Sequence, residues 1–285
     1  MAKLGAPPVC LTLQSHVVAG HVGLGAAIPV LAMSGVEPWP LPTVILSGHA
    51  GVPGVRRAGH GASDIVTLIE GLEGAGALRR VDALLSGYMA SPDAVGAVLG
   101  LRDALSAAAP QAVWIADPVL GDNGHLYVPQ PVAERIRDDL VPRADILTPN
   151  TFEVSWLTAM PVGDPGQIDL AAQALLAKGP RAVFVTSVEQ DGGIGILAAT
   201  ETGAWIATAP KLNHRINGGG DVTAALLTAS WLAGRSPADA IGQAVATLSV
   251  LAQGSADLNR DDLPVCASPA QILSPPPPVE IRQLR

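Results

Sequence analysis

Arg215-Ile216-Asn217-Gly218-Gly219-Gly220-Asp221-Val222-Thr223-Ala224-Ala225-Leu226-Leu227 sets three glycines and one carboxylate directly before an apolar, alanine-rich helical pattern. Glycines let a backbone turn tightly and approach a ligand with no Cβ in the way, and the first N–H groups of a helix have no intrahelical partner. With the helix dipole behind them, such groups favour an anion. A carboxylate would repel that anion, so Asp221 fits better as a base that takes a proton from an attacking hydroxyl. On the turn alone a second reading stays open, in which Asp221 is an ordinary N-cap after a glycine loop.

Outward from this turn, short β-rich apolar runs alternate with Ala/Leu-rich segments of helical length, the pattern of an α/β protein with a largely parallel sheet. Strands are expected over 9–13, 43–47, 83–86, 112–116, 146–148, 183–187, 194–198 and 204–208. Helices are expected over 24–34, 63–74, 92–108, 131–140, 151–159, 167–178, 221–233 and 237–253. Ser91-Pro92 and Ser236-Pro237 are good helix openings, a capping serine followed by proline at the first helical position. The strands either side of 200–203 should form an antiparallel edge pair, and the proline tract 275–278 should run extended into a last strand at 279–283. No linker divides the 285 residues, so one domain over 1–285 is expected.

Composition excludes several classes of function. A net charge of -8 with no basic cluster beyond Arg56-Arg57 and Arg79-Arg80 argues against a nucleic-acid partner. The longest apolar stretches, 22–36 and 222–234, reach about fifteen residues against the roughly 20 of a membrane helix, so no membrane partner is expected. The first residues carry one lysine and no long apolar core, unlike a secretory signal, and two distant cysteines, Cys10 and Cys266, suit a reducing, cytoplasmic setting. The lysines are Lys3, Lys178 and Lys211, none in a P-loop arrangement, so a phosphate site here needs backbone donors or a metal ion.

Ligands gather at the C-terminal ends of strands in an open α/β sheet. Four such ends carry polar residues: Gln14-Ser15-His16 with Gly20-His21-Val22-Gly23; Gly87-Tyr88; Asp117-Pro118-Val119-Leu120-Gly121-Asp122; and Pro149-Asn150-Thr151-Phe152-Glu153. Singly each has a bland reading: Ser15 as an N-cap, the histidines as loop residues, Tyr88 as core, the carboxylates as solvated. Together, Asp117, Asp122 and Glu153 stand on one sheet edge, where like charges are costly unless a cation joins them. Magnesium carried by a nucleotide is the natural cation, because it takes oxygen ligands and bridges phosphates. Gly121, Gly124 and Tyr127 read as part of a lid.

These pieces, in this order and spacing over almost the whole chain, resemble the pyridoxal kinases, the vitamin-kinase branch of the ribokinase-like superfamily. Gln14-Ser15-His16-Val17-Val18, Trp39-Pro40-Leu41, Ser86-Gly87-Tyr88, Asp117-Pro118-Val119, Thr148-Pro149-Asn150 and the glycine turn carry the likeness. The resemblance implies a three-layer α/β/α fold, a homodimer, and ATP-dependent phosphorylation of the 5'-hydroxymethyl group of pyridoxal. Asp221 would be the base, and Gly218, Gly219 and Gly220 the anion hole. Ser15, Tyr88, His49 and Asp221 would contact the vitamer. Asp117, Asp122, Thr148, Asn150, Glu153, Thr186, Ser187, Leu212, Asn213 and His214 would contact ATP. Asp117 and Glu153 would hold Mg2+, a monovalent cation such as K+ is a further candidate, and Tyr127 would close as the lid.

Three positions depart from the family pattern. Gly219 replaces the side-chain-bearing middle residue of the turn, which predicts a looser loop. Ala50 removes a hydroxyl that would face pyridoxal, and Leu24 stands where asparagine is common. Hydroxymethylpyrimidine kinases share the later motifs, though many carry cysteine at the base position, so a pyrimidine-type acceptor is one alternative. A non-catalytic B6-vitamer binder is another.

Overall fold

The computed structural model describes residues 5–58 and 61–285. The first half of the chain runs β1 (Val9–Ala19), α1 (Leu24–Met33), β2 (Glu37–Gly48), β3 (Arg57–Ala58), α2 (Ala62–Gly74), β4 (Ala83–Ser86), α3 (Pro92–Ala108) and β5 (Val113–Ala116). A small hairpin, β6 (Gly121–Asp122) and β7 (His125–Leu126), leads to α4 (Gln130–Arg135), β8 (Ile146–Leu147), α5 (Thr151–Thr158) and α6 (Pro165–Leu176). Then come β9 (Ala182–Gln190), β10 (Gly193–Thr200), β11 (Gly203–Pro210), α7 (Gly219–Leu232), α8 (Pro237–Asp257), α9 (Ala270–Leu273) and β12 (Ile281–Gln283).

Ten strands form one sheet in the order β12-β11-β10-β9-β8-β5-β4-β1-β2-β3. The run from β2 through β1, β4, β5 and β8 to β9 is parallel. β9 to β12 turn antiparallel, as the edge expectation had it, and the other edge adds a short antiparallel strand, β3. Buried side chains of α2, α3, α4, α5 and α6 form the core on one face of the sheet. Those of α1, α7, α8 and α9 form the core on the other, giving the three-layer fold. Chain order reverses between β1 and β4, the kind of switch point whose strand ends open a ligand crevice.

Helix openings follow the local chemistry. Ser91 Oγ accepts from Ala94 N–H at 3.2 Å, and Ser236 Oγ accepts from Asp239 N–H at 3.1 Å. The helix expected over 131–140 keeps helical hydrogen bonding only through Arg135 and then widens to a π-helical turn over Ile136–Leu140, ahead of Pro142, which cannot donate to the helix ladder. β1 does not stop at residue 13 but continues through a bulge at Gln14/Ser15 to Ala19, so Ser15 and His16 lie in a strand and Ser15 is no N-cap.

Candidate active site

Helix α7 begins at Gly219, with Gly218 as its N-cap in the left-handed conformation, φ 78°. Asp221 is therefore the third residue of the helix, and the N-cap reading of it is wrong. A Cβ on Gly218 would stand 2.2 Å from the His21 carbonyl oxygen, so this glycine is required by both conformation and space. Gly219 differs: no atom outside its own turn lies within 4 Å of where its Cβ would be. The N–H groups of Gly219, Gly220 and Asp221 precede the first α-helical hydrogen bond, from Val222 N to Gly218 O at 3.0 Å, and no side chain caps the helix. They remain available to an anion.

The turn is locked to the loop that follows β1. Gly23, at φ 57°, leaves no room for a Cβ, which would fall 2.1 Å from the Ser15 carbonyl oxygen. Its N–H bonds to Asp221, lowering the pKa of that carboxyl, but burial outweighs it and lifts the group to about 6. His21 donates its backbone N–H to Asp262 Oδ2 at 2.7 Å, and its Nδ1 lies 3.1 Å from the same oxygen. Arg260 completes the tie with bonds to Asp262 of 2.8 and 3.2 Å, and Asn217 N–H reaches the Asp261 carbonyl at 2.6 Å. Burial opposes ionisation of Asp262, yet Arg260 and His21 hold its pKa below the ordinary carboxylate value.

Across from the turn, a Cβ on Gly220 would stand 3.8 Å from Asp117 Oδ2. Asp117 is buried and its pKa is well above normal, first through burial and then through the charges of Glu153 and Asp221. Val119 N–H and the Thr148 hydroxyl act the other way. Thr148 Oγ1 is itself buried with no hydrogen bond of good geometry. Glu153 Oε1 accepts from Leu120 N at 2.7 Å and Gly121 N at 3.4 Å, and its Oε2 accepts from Asn150 N at 2.9 Å. Burial still raises Glu153 to about 7. Asn150 caps α5 by accepting from Glu153 N at 2.9 Å and donates Nδ2 to the Gly121 carbonyl at 2.8 Å. Both residues thereby hold the β6–β7 hairpin against α5.

Two buried acids, Asp117 and Glu153, and the half-buried Asp221, all with raised pKa values, call for a cation, and hard oxygen donors such as Asp117 and the Thr148 hydroxyl fit a divalent ion bridged to phosphate. No group of three or more His, Cys, Asp or Glu side chains among the described residues could hold a metal by itself. The remaining ligands would have to be phosphate or water oxygens.

The other expected site residues fall into two sets. Ser15 is buried beside Gly23, His49 is half-buried at the end of β2, and Tyr88 packs half-buried against the core while its carbonyl accepts from Thr43 Oγ1 at 2.6 Å. His49 has a lowered pKa, by burial and then by the charge of Arg215. Tyr127, 60% exposed after the hairpin, has a raised pKa through burial, Asp122 and Glu153, which Arg215 opposes. Asp122 is taken up by the hairpin turn, accepting from Asn123 N at 2.8 Å and Asn123 Nδ2 at 3.1 Å. Thr186 and Ser187 lie within β9 and not after it: Thr186 bridges to Asn150, and exposed Ser187 takes φ 59° opposite the register shift in β10. Leu212 is half-buried and Asn213 exposed, while His214 Nε2 lies 2.6 Å from the Arg260 carbonyl. Asp262, Arg260 and Arg215 were not among the residues expected. The tie from His21 to Asp262 spans 241 positions and leaves no local signal.

Comparison with known proteins agrees with this geometry. Residues 79–266 match the family model of phosphomethylpyrimidine kinase. The pyridoxal kinase PdxY of Corynebacterium diphtheriae is 36% identical over 279 residues, covering 96% of this chain and 99% of the relative. That of Rubrobacter xylanophilus is 34% identical, covering 96% and 97%. Among solved structures, pyridoxal kinase from Leishmania donovani in complex with ADP and pyridoxamine superposes with a TM-score of 0.92 at 29% identity, covering 97% of this chain and 99% of that one.

Proposed function

The chain belongs to the pyridoxal kinases within the phosphomethylpyrimidine kinase family, and from that premise we propose that it transfers the γ-phosphoryl group of ATP to the 5'-hydroxymethyl oxygen of pyridoxal. The observation that carries the mechanism is the placement of Asp221. Its carboxyl sits in the first turn of α7 beside three N–H groups that lack helical partners, and it is held near pH 6 by burial. A base with that pKa is ionised at neutral pH and basic enough to accept the hydroxyl proton as the oxygen attacks. The N–H groups of Gly219, Gly220 and Asp221 then face charge spread over the transferring phosphoryl oxygens.

Asp117 and the Thr148 hydroxyl are the groups we assign to Mg2+ and the phosphates; the ion supplies charge neutralisation of the triphosphate. Glu153 acts mainly through the loop it holds and its charge beside Asp117. Ser15, His49 and Tyr88, around the switch point, are the vitamer side of the crevice. Thr186, Ser187, Leu212, Asn213 and His214 are the nucleotide side, and Tyr127 covers the centre. The same reading takes the chain as one kinase domain acting as a cytoplasmic homodimer. Its two cysteines are free, as a reducing compartment would keep them.

Purified protein with Mg-ATP and pyridoxal should form pyridoxal 5'-phosphate and ADP in equal amounts. Turnover of hydroxymethylpyrimidine in preference to every B6 vitamer would move the acceptor to the pyrimidine, the second reading suggested by the family model. Vitamer binding with no ATP turnover would leave only a binder. Comparing K+ with tetramethylammonium in the same assay tests a monovalent cofactor.

A further inference from the structure

Asp262 lies outside the groups assigned to vitamer, nucleotide and metal, yet it is where a distant segment grips the glycine turn. It is buried, and both carboxylate oxygens are engaged: Oδ1 accepts from Arg260 Nε at 2.8 Å, and Oδ2 accepts from His21 N at 2.7 Å and Arg260 Nη2 at 3.2 Å. The loop it holds touches both parts of the chemistry. His21 sets its carbonyl against Gly218, where a Cβ would stand 2.2 Å away, and two residues further on Gly23 N–H bonds to the Asp221 carboxyl. The same segment holds the chain entering the turn, since Asn217 forms a β-bridge with Asp262 and donates its N–H to the Asp261 carbonyl at 2.6 Å. Behind it stands a helix. Ser255, fully buried in α8, directs its hydroxyl at the Arg260 and Asp262 carbonyls, at 2.7 and 3.0 Å, and Arg260 N–H returns to the Ser255 carbonyl at 2.9 Å.

Resting on the kinase reading above, we propose that Asp262 is a positioning residue for phosphoryl transfer, fixing the Asp221 carboxyl relative to the N–H groups of Gly219, Gly220 and Asp221. It does so through His21 and Gly23 on one side and Asn217 on the other. That relation governs rate more than affinity. The hydroxyl must release its proton to Asp221 while its oxygen attacks a phosphorus held at the N–H groups, so a shift of about 1 Å between base and donors slows the step by about 10²-fold. Ser15 and Thr186, on β1 and β9, keep sheet supports of their own, so vitamer and nucleotide binding do not follow the turn. A carboxylate suits the task because its charge strengthens the bonds to the His21 N–H and the guanidinium together.

The test uses the full chain with Asp262→Ala and Asp262→Asn. Asp262→Ala should lower the single-turnover rate of pyridoxal phosphorylation by about 10²-fold. Its KM for pyridoxal, and the affinity and stoichiometry of ADP binding, should stay within a few-fold of wild type. Asp262→Asn keeps an oxygen for the His21 N–H but not the charge; a neutral acceptor is roughly half as strong, so the loss should shrink to about 10-fold. A rate in Asp262→Ala within a few-fold of wild type would overturn the assignment while leaving the kinase reading intact. ADP stoichiometry falling in step with the rate, or an Asn variant no faster than the Ala one, would do the same. Should Asp262→Ala not fold, Asp262→Asn decides alone: a wild-type rate overturns the assignment, and a loss of about 10-fold at unchanged KM supports it. A wild-type protein inert toward ATP with every acceptor would overturn both readings.

Discussion

The glycine turn and the β6–β7 hairpin meet over the same carboxylates but are held in opposite ways. The turn is wedged under the His21 carbonyl, bonded through Asp221 to Gly23, and fastened through Asn217, His21 and Arg260 to residues 261 and 262. The hairpin is two residues per strand, with an exposed tip at Asn123 and Gly124, and on the α5 side it is held by bonds to Asn150 and Glu153 and by Phe152 packed against Gly121. The contrast teaches a division of labour. On the proposed mechanism, the part that would meet developing charge is fixed before substrate arrives, and the part that would admit substrate is attached by a few bonds at its root.

The largest effect that would break this picture is at the base. Asp221→Asn should reduce kcat by roughly 10²- to 10⁴-fold with little change in vitamer KM; a variant within a few-fold of wild type in steady-state turnover would remove Asp221 from the chemistry. Next is the wedge: Gly218→Ala must adopt φ near 78° and meet the His21 carbonyl, so a loss of about 1–3 kcal/mol from strain alone is expected in denaturant unfolding, with activity falling alongside. On the hairpin side, Asn150→Ala removes a helix cap and the bond to Gly121, costing about 1–2 kcal/mol. Steady-state kinetics should also show a raised KM for ATP.

Acidity separates the two regions further. With Asp221 lifted to about 6, kcat should fall as pH drops through 6, and titration of rate against pH reads this limb directly. Stability runs the other way. Asp117, Glu153 and Asp221 have folded pKa values above their unfolded ones, so their contribution is favourable at pH 4 and is lost as pH rises through 6 to 7. The ligand-free protein should therefore gain more stability from Mg-nucleotide at pH 8 than at pH 6, by thermal melting. The smallest effect is Gly219→Ala, which adds a methyl to open space at the first helical position: kcat should stay within a few-fold, and stability should rise by about 0.4–1 kcal/mol.

How far the sequence could be read follows from how local each signal is. β4 and α3 were read at their observed bounds, 83–86 and 92–108, because a short apolar run and a Ser-Pro opening need nothing from the rest of the chain. β1 was cut short at residue 13 because Gln14-Ser15-His16 is polar. The fold nonetheless buries Gln14 completely, its amide without a hydrogen bond among the described residues, against Gly87 just after the neighbouring strand β4. Asp117 and Glu153 were legible together because the segments that carry them follow the adjacent central strands β5 and β8. That Glu153 and Asn150 serve the hairpin through backbone bonds was not, since a capping box looks the same in sequence whichever loop it also grips. The expectation of a looser turn at Gly219 weighed one residue, whereas the fastening lies in Gly218 and in partners more than forty positions away.

The tie between His21 and Asp262 also has a consequence for synthesis. A chain emerging from the ribosome exposes His21 early and Asp262 only after nearly all of the sequence has been made. Until then the His21 N–H lacks its Asp262 acceptor, so the bracing of the glycine turn is among the last parts of the fold to be completed. A product ending before residue 262 would hold most of the sheet and lack this tie.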